Sequence, residues 1–585
     1  MAENKRAFRI CGEDASKYVI VYTDASYPSE KTAALELAKY VELTCGIKLP
    51  LVPDTTPAVE HEIIVGHTSR EADGSYVIPR EKYAYEGYRI LTVGKKLVIA
   101  GAERRGTMYG VYDFLDKFFG WRFYTPEIER SVTTGDIDIP EGTDIDFVPY
   151  MEYRDIDWVY ARDQVYAAKV HANGGYRTFD PEHGGELAFG GGDHNMGDFF
   201  DLENHHIQQP CLSDPEKVDL AIKRIGEYLE RHPDLDIFEI SQNDNQAYCT
   251  CDKCRAVDEE EGNHAGTMLR FINKVSDAFR EKYPKLQIQT FAYQYTRHAP
   301  KVTKPRDNVI IKICPMECCY HHPLYADCPQ NVAFADDFES WAKVAKKMYV
   351  WDYSTNFCYF LAPFPNFEVM WQNMRWFADR NVKGMYPEGN YCSKSGEFGE
   401  LRGYLQTRLM WNPYMSREEY YAYMDDFLDA YYGPGWKWIR KYIDWIEERS
   451  KFRHCDLWSH PDLVIPLDEW RENAAEIASW WDAAEEGAKD LPLQLDNVKR
   501  SRLQFTMLEQ TVTWEERFRD GNKRSKENYR QKNLAFYNTL VKQDISWREA
   551  YGYPPKVNFE APPLSWCDAH TYMLPYDEDR LLDED

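Results

Sequence analysis

The chain has no run of about 18 apolar residues, so no stretch of it reads as a membrane-spanning helix. It has no basic excess either: 70 Lys and Arg face 97 Asp and Glu, for a formal net charge of −27. A polyanion would be repelled, which argues against nucleic acid and against an anionic membrane surface as partners. Residues Met1–Arg6 lack the apolar stretch of a secretory signal, so the expected location is the cytoplasm, or a secreted or periplasmic one if a signal has been removed. Internal repeats and long low-complexity linkers are also missing, so the parts are expected to pack as one body. What is plentiful is aromatic, with 42 Tyr, 28 Phe and 17 Trp. Flat rings fill cores everywhere, and they also suit sugars, whose apolar faces stack on them.

At 585 residues the chain exceeds one compact core, and two to four domains are expected. Residues 1–148 read as an α/β unit: strands near 18–22 and 63–66, an amphipathic helix over 31–44, a hairpin over 87–100 turning at Gly94, and a helix over 105–119. From 149 to 413 strands alternate with helices, the sign of a parallel sheet with crossover helices. Eight candidate strands fall near 153–156, 187–189, 209–212, 238–241, 288–293, 309–314, 347–352 and 382–386. Eight is the number that closes a barrel. Residues 414–585 become helical, starting with a capping box at Ser416 and Glu419, and end in a Pro-rich, acidic tail from Pro554 expected to wrap the surface. The expected fold class is therefore α/β: a (β/α)8 TIM-like barrel between an N-terminal α/β domain and a C-terminal helical domain.

The most informative stretch comes after the apolar run of Ile237, Phe238 and Ile240. There Ser241, Gln242, Asn243, Asp244 and Asn245 put five polar side chains in a row at a strand end, where such barrels bind and transform substrates. A plain polar loop with a helix cap is the structural alternative. The later strands also end in polar groups: Tyr293 and Tyr295, Glu317, Trp351 with Asp352 and Tyr353, and Glu388 with Asn390. Carboxylates gathered on one rim repel unless a hydroxyl-rich ligand or a raised pKa relieves them. Glycoside hydrolysis needs such a set, one carboxyl protonated for the leaving oxygen and another charged. For a 2-acetamido sugar the substrate's own acetamido oxygen can attack, and the protein supplies an acid and a polar neighbour. The candidate catalytic residues are Asp244 as acid/base and Asn243 as its neighbour, with Asp352 or Glu317 able to exchange roles with them. The candidate sugar contacts are His194, Tyr293, Tyr295, Trp351, Tyr353, Glu388 and Asn390. No cofactor is required for this chemistry.

Nine of the fourteen cysteines lie from Cys211 to Cys358. Cys249, Cys251 and Cys254 crowd one turn, and Cys211 could complete a tetrahedral, structural zinc site. Disulfides, with Cys314, Cys318, Cys319 and Cys328 among them, and buried free thiols are the other two readings. His194, His321 and His322 could each be ligands, although a lone His is more often a hydrogen-bonded wall residue, and Glu397 and Glu400 read as ion-pair partners on a helix with Arg402.

Several of these motifs together resemble the DUF4838 barrel family. They are residues 241–245 with 248–254, 292–296, Met316 and Glu317 with 322–324, 351–353, 363–365, 396–402 and 409–413. That group includes glycoside hydrolase family 163, endo-β-N-acetylglucosaminidases acting on complex N-glycans. Pro387 and Glu388 stand where the family would have Glu-Gln, so the resemblance carries no role onto Glu388. Residues 1–148 resemble the non-catalytic N-terminal domain of α-glucuronidases and family 20 hexosaminidases. The resemblance implies an endo-acting hydrolase of β-linked N-acetylglucosamine in a glycan. The alternatives are a glycosidase for another sugar, such as a uronic acid held by Arg154 or Arg297, and a carbohydrate-binding barrel without chemistry.

Overall fold

The computed structural model describes residues 5–174, 179–549 and 557–566. The first sheet has six strands: β1 (Val19–Tyr22), β2 (Leu51–Pro53), β3 (Glu62–Val65), β4 (Tyr88–Val93), β5 (Lys96–Gly101) and β6 (Asp144–Phe147), in the order β6-β4-β5-β3-β1-β2. The central strand β3 is buried along its whole length, as a strand covered on both faces must be. Gly94, at φ 57°, makes the β4–β5 turn. Helix α1 (Pro28–Cys45) begins with the fixed φ of Pro28 and ends at Gly46, whose left-handed backbone lets its N–H reach the Glu42 carbonyl at 2.8 Å.

The second sheet has seven strands, parallel throughout: β7 (Tyr153–Arg154), β8 (Phe189–Gly190), β9 (Ile237–Glu239), β10 (Gln287–Ala292), β11 (Val309–Ile313), β12 (Lys347–Tyr353) and β13 (Val382–Glu388). Their order is β7-β13-β12-β11-β10-β9-β8, so the sheet curls round until its first two strands are its two edges. Among the described residues no ladder joins those edges. The rings of Tyr153 and Phe189 face each other instead, 5.6 Å apart. Among the described residues the sheet is thus a curled, seven-stranded one, a half-barrel in place of the closed eight-stranded barrel expected from the sequence. Residues 209–212 do not form the expected strand. The Gln209 side chain does the ladder's work there, donating to the carbonyls of Asn243 at 2.7 Å and Asn245 at 2.9 Å and accepting from the Asn243 N–H at 3.2 Å.

Alternate side chains point into the curl. Tyr153, Ile237, Ile310, Tyr349 and Tyr386 form its lower apolar layer. Gly384 is small because a Cβ there would lie 2.6 Å from the Tyr349 ring. Past Trp411 the chain is helical as expected, and the Ser416 hydroxyl caps the Glu419 N–H at 3.1 Å. One buried cluster runs from Phe8 to Trp566. The expected tail begins at Pro554. Residues 554–556 and 567–585 of it lie outside the described residues, and Trp566 packs on Phe536 and Trp547. Among the described residues no helix is long and apolar enough to cross a membrane.

The two sheets are joined by a buried ion cluster. Glu86, before β4, accepts from Arg105 at 2.7 Å and from Arg154 of β7 at 2.6 Å, and both guanidinium groups are almost fully buried. Removing one partner of such a group leaves uncompensated charge in the interior, at a cost of about 3–5 kcal/mol. Glu86→Ala is expected to lower the urea midpoint accordingly; an unchanged midpoint would mean that the junction draws nothing from this cluster.

Candidate active site

A cleft of about 500 Å³ opens at the carboxyl ends of the curled sheet. Its floor is aromatic, made by Phe291 of β10, Trp351 and Tyr353 of β12 and Tyr386 of β13. Five carboxyl groups line it: Asp157, Asp193, Asp244, Glu388 and Glu549. One wall comes from far along the chain, in Leu457, Trp458 and Glu549.

Glu388, the last residue of β13, is buried, and its Oε2 accepts the Trp351 indole N–H at 2.7 Å. Burial first, and then the charge of Glu549, hold its pKa well above the usual carboxylate range. Burial likewise raises Asp157, which accepts from the Tyr386 hydroxyl at 2.6 Å and from Arg162 at 3.0 Å. Burial also raises Glu549, which accepts from the Tyr391 hydroxyl at 2.6 Å. Asp244 differs from these in being exposed, at the cleft's mouth. The Tyr293 hydroxyl at 3.1 Å and the Gln294 amide at 3.2 Å both donate to its Oδ1, which leaves Oδ2 without a protein donor among the described residues.

Asp193 and His194 arrive on a tight turn in which Gly191, Gly192 and His194 all have positive φ, at 92°, 128° and 57°. A non-glycine residue held there costs energy. The Ser241 hydroxyl, 2.9 Å from the His194 N–H, and the Gln242 carbonyl, 2.8 Å from its Nδ1, supply the restraint. Beneath the floor Lys312 of β11 is buried between Asp193 and Glu239, each 3.6 Å away, with its ammonium 4.4 Å from the Trp351 ring centre. Burial pushes the Glu239 carboxyl up to about 8 against the pull of Lys312.

Of the residues expected from the sequence, the structure gathers Asp244, His194, Tyr293, Trp351, Tyr353 and Glu388 on the cleft. It places five others elsewhere. Asn243 is buried in the wall, donating to the Gln208 carbonyl at 2.8 Å and accepting from the Gly197 N–H at 3.2 Å. Asp352 lies between Trp351 and Tyr353 on one strand, so the alternation that turns those two inward turns it outward. Glu317 is exposed and paired with Arg297 at 2.6 Å. Tyr295 stacks near Tyr248, and Asn390 is tied to Ser393 and Ser395. Sequence reasoning missed Asp157, Asp193 and Glu549. Asp157 and Asp193 come just after the two weakest strands, whereas nothing local marks Glu549. Arg402 pairs with Glu397 at 2.6 Å as expected, while Glu400 turns to Ser395 at 2.8 Å and to Arg500 at 3.5 Å.

The sulfurs of Cys211, Cys249, Cys251 and Cys254 all lie within 4.8 Å of one another, and Cys211 is 3.7 Å from both Cys251 and Cys254. These thiols are free. A tetrahedron with Zn–S bonds of about 2.3 Å has edges of about 3.8 Å, whereas a disulfide needs about 2.05 Å. This knuckle stands just after the Asp244 turn and outside the cleft.

Residues 123–444 match the family model of DUF4838, a domain of unknown function. The chain belongs to this family. Residues 10–114 of this DUF4838 protein match the N-terminus of glycosyl hydrolase family 67, in line with the α-glucuronidase likeness expected for that part. No curated protein is similar to the chain. Among solved structures it is similar to a family GH115 4-O-methyl-α-glucuronidase with specificity for decorated arabinogalactans. The identity is 12%, the coverage 93% of this chain and 76% of that one, and the TM-score 0.55. It is also similar to a Streptomyces plicatus β-hexosaminidase in complex with its product GlcNAc, at 12% identity, 72% and 91% coverage and a TM-score of 0.40. At 12% identity the likeness to the GH115 structure is one of fold alone.

Asp352 offers a test of the alternation. Burial pushes it up to about 7, and its Oδ1 has no hydrogen-bond partner among the described residues. Its folded pKa exceeds its unfolded one, so the folded state holds the extra proton and stability falls as pH rises from about 4 to about 7, by up to about 1.4 kcal/mol per unit. Asp352→Asn is expected to remove that part of the slope in urea melts at several pH values without a loss of turnover. A collapse of turnover at unchanged stability would put Asp352 back among the reacting groups.

Proposed function

We propose that this DUF4838 protein is a glycoside hydrolase whose cleft cuts the bond of a β-linked N-acetylglucosamine in a glycan, by the substrate-assisted, retaining route. The observation that carries the reading is one aromatic-floored cleft holding a buried carboxyl with a raised pKa, Glu388, together with an exposed carboxyl, Asp244, that has one oxygen free. The rings stack the sugar. Asp244 gives its proton from Oδ2 to the departing glycosidic oxygen while the substrate's acetamido oxygen closes on the anomeric carbon. Asp244 then takes a proton from the water that reopens the ring. Asn243 is held in the wall, so the orienting role expected of it falls away, and the Tyr353 hydroxyl receives the acetamido group. No cofactor takes part.

One observation favours a second reading, a uronic acid as the sugar. The expected clamps are engaged elsewhere, Arg154 with Glu86 and Arg297 with Glu317 and Asp337, but Arg162 lines the cleft. Aryl β-N-acetylglucosaminides and aryl uronides, assayed side by side with released N-glycans, separate the two readings. Turnover of none of them would leave a binding protein.

Asp244→Asn is expected to cut hydrolysis of natural glycans by about 10²–10⁴-fold. A nitrophenyl glycoside needs little protonation and should lose far less, and a thiazoline mimic of the cyclised intermediate should inhibit. Equal losses on both substrates would remove Asp244 from the acid role. A trapped glycosyl–carboxylate adduct would replace the acetamido oxygen with an enzyme nucleophile, Glu388 being the first to examine.

In the same reading Cys211, Cys249, Cys251 and Cys254 hold a structural zinc, a role supported by sulfur spacings close to a tetrahedron's edge. Metal analysis should then show one zinc fewer per chain in a Cys249→Ser/Cys251→Ser variant than in the parent. The same metal content in both would refute this role.

A further inference from the structure

Apart from that knuckle and away from the cleft's carboxyl groups, a second group of soft ligands comes together. The sulfurs of Cys319 and Cys328 and a ring nitrogen each of His322 and His454 all lie within 4.8 Å of one another. Three of the four stand beyond β11 in the spacing Cys-x2-His-x5-Cys, and the fourth comes from the loop after the helix Trp436–Ser450. Cys319 Sγ is 3.3 Å from His322 Nδ1, and Cys328 Sγ is 3.6 Å from His454 Nδ1. A tetrahedral zinc ion with Zn–S of about 2.3 Å and Zn–N of about 2.0–2.1 Å sets sulfur and nitrogen about 3.5 Å apart. The two imidazoles meet at 68° with ring centres 5.1 Å apart, which leaves both Nδ1 atoms able to face one point.

The surroundings are built to hold these groups still. Asn331, fully buried, accepts from the Cys319 N–H at 2.8 Å and donates to the carbonyls of Cys319, His322 and Pro323 at 3.1, 3.1 and 3.2 Å, so the ligand loop is folded round one amide. Neighbouring His321 is used otherwise, bonded to the Pro365 carbonyl and, at 3.2 Å, to Ser450.

We propose that Cys319, His322, Cys328 and His454 form a closed, structural Cys2His2 zinc site that clasps the 451–460 loop to the curled sheet. Four protein ligands of mixed sulfur and nitrogen at tetrahedral spacing select zinc and leave no open position for chemistry. The clasp matters because the loop it holds runs on into the cleft. The Tyr320 N–H pairs with the Cys455 carbonyl at 2.7 Å, the Phe357 N–H with the Leu457 carbonyl at 2.8 Å, and Leu457 and Trp458 are cleft wall. The ion would thus fix, from outside, a wall of the cleft supplied by a distant part of the chain. This proposal gives His322 a role other than that of a wall residue, and Cys319 and Cys328 a role other than disulfide bonding.

The test is metal content of the full chain, purified without chelator and supplied with zinc alone, for the parent, a Cys328→Ser/His454→Ala variant and the Cys249→Ser/Cys251→Ser variant. Each double variant is expected to lose one zinc from a parent total of two. Cobalt substitution should add a spectrum of two-thiolate type that only the Cys328→Ser/His454→Ala change removes. A parent with one zinc that is lost in the Cys328→Ser/His454→Ala variant alone would keep this site and reject the four-cysteine one. If the Cys328→Ser/His454→Ala variant holds as much zinc as the parent while still folded by circular dichroism, the site is refuted. If that variant fails to fold, His454→Ala alone, at an exposed position, decides: unchanged affinity for zinc in chelator competition refutes the site. A Cys319–Cys328 disulfide in peptide mass analysis also refutes it.

Discussion

The aromatic floor of the cleft exists because seven parallel strands, curled almost into a ring, turn alternate residues inward. On β12 this places Trp351 and Tyr353 in the cleft and Asp352 behind them; on β13 it places Tyr386 and Glu388 inside. The rule allows no exception within a regular strand, since a slip of one residue would reverse the whole set. The aromatic floor and the carboxyl above it therefore come as one package. The same rule sends Lys312 into the interior, where an ammonium ion survives only because Glu239, Asp193 and three ring faces surround it.

That buried cation bears on the acids above it. Five carboxyl groups on one cleft cannot all ionise cheaply, and Glu388 lies among Asp157, Asp193 and Glu549 with little water to screen them. Lys312 answers part of this charge from below, through Asp193. Burial also raises the pKa values of Glu388, Glu549 and Asp157, so these groups ionise less readily than carboxyls in water.

Much of this was legible in the sequence where a local pattern carries it. The apolar runs of β9 to β13, with polar groups at their ends, located the strands and put Asp244, Tyr293, Trp351, Tyr353 and Glu388 at the right end of the sheet. Residues 209–212 misled because a short, half-apolar segment beside a strand looks like its neighbour, and only the contacts of Gln209 with the 243–245 backbone show it to be a brace. Asn243 and Asp352 were misplaced for a related reason. A run of polar residues reveals a strand's end but not which of them face inward, since that depends on where the strand stops. Glu549 was out of reach, because its place on the cleft comes from a Tyr391 hydroxyl far away in the chain and not from any neighbour in sequence.

The path of the chain through the cleft also sets the order in which it can be made. Asp157 begins the cleft and Glu549, after the last long helix, ends it, so the ribosome must produce nearly everything between them before the site exists. The curled sheet can form earlier, once β13 has emerged. Until the 451–460 loop and Glu549 arrive, its newborn end presents bare tryptophan and tyrosine faces to water or to a waiting chaperone. Late assembly of one wall thus means that this protein spends part of its synthesis with its stickiest surface uncovered.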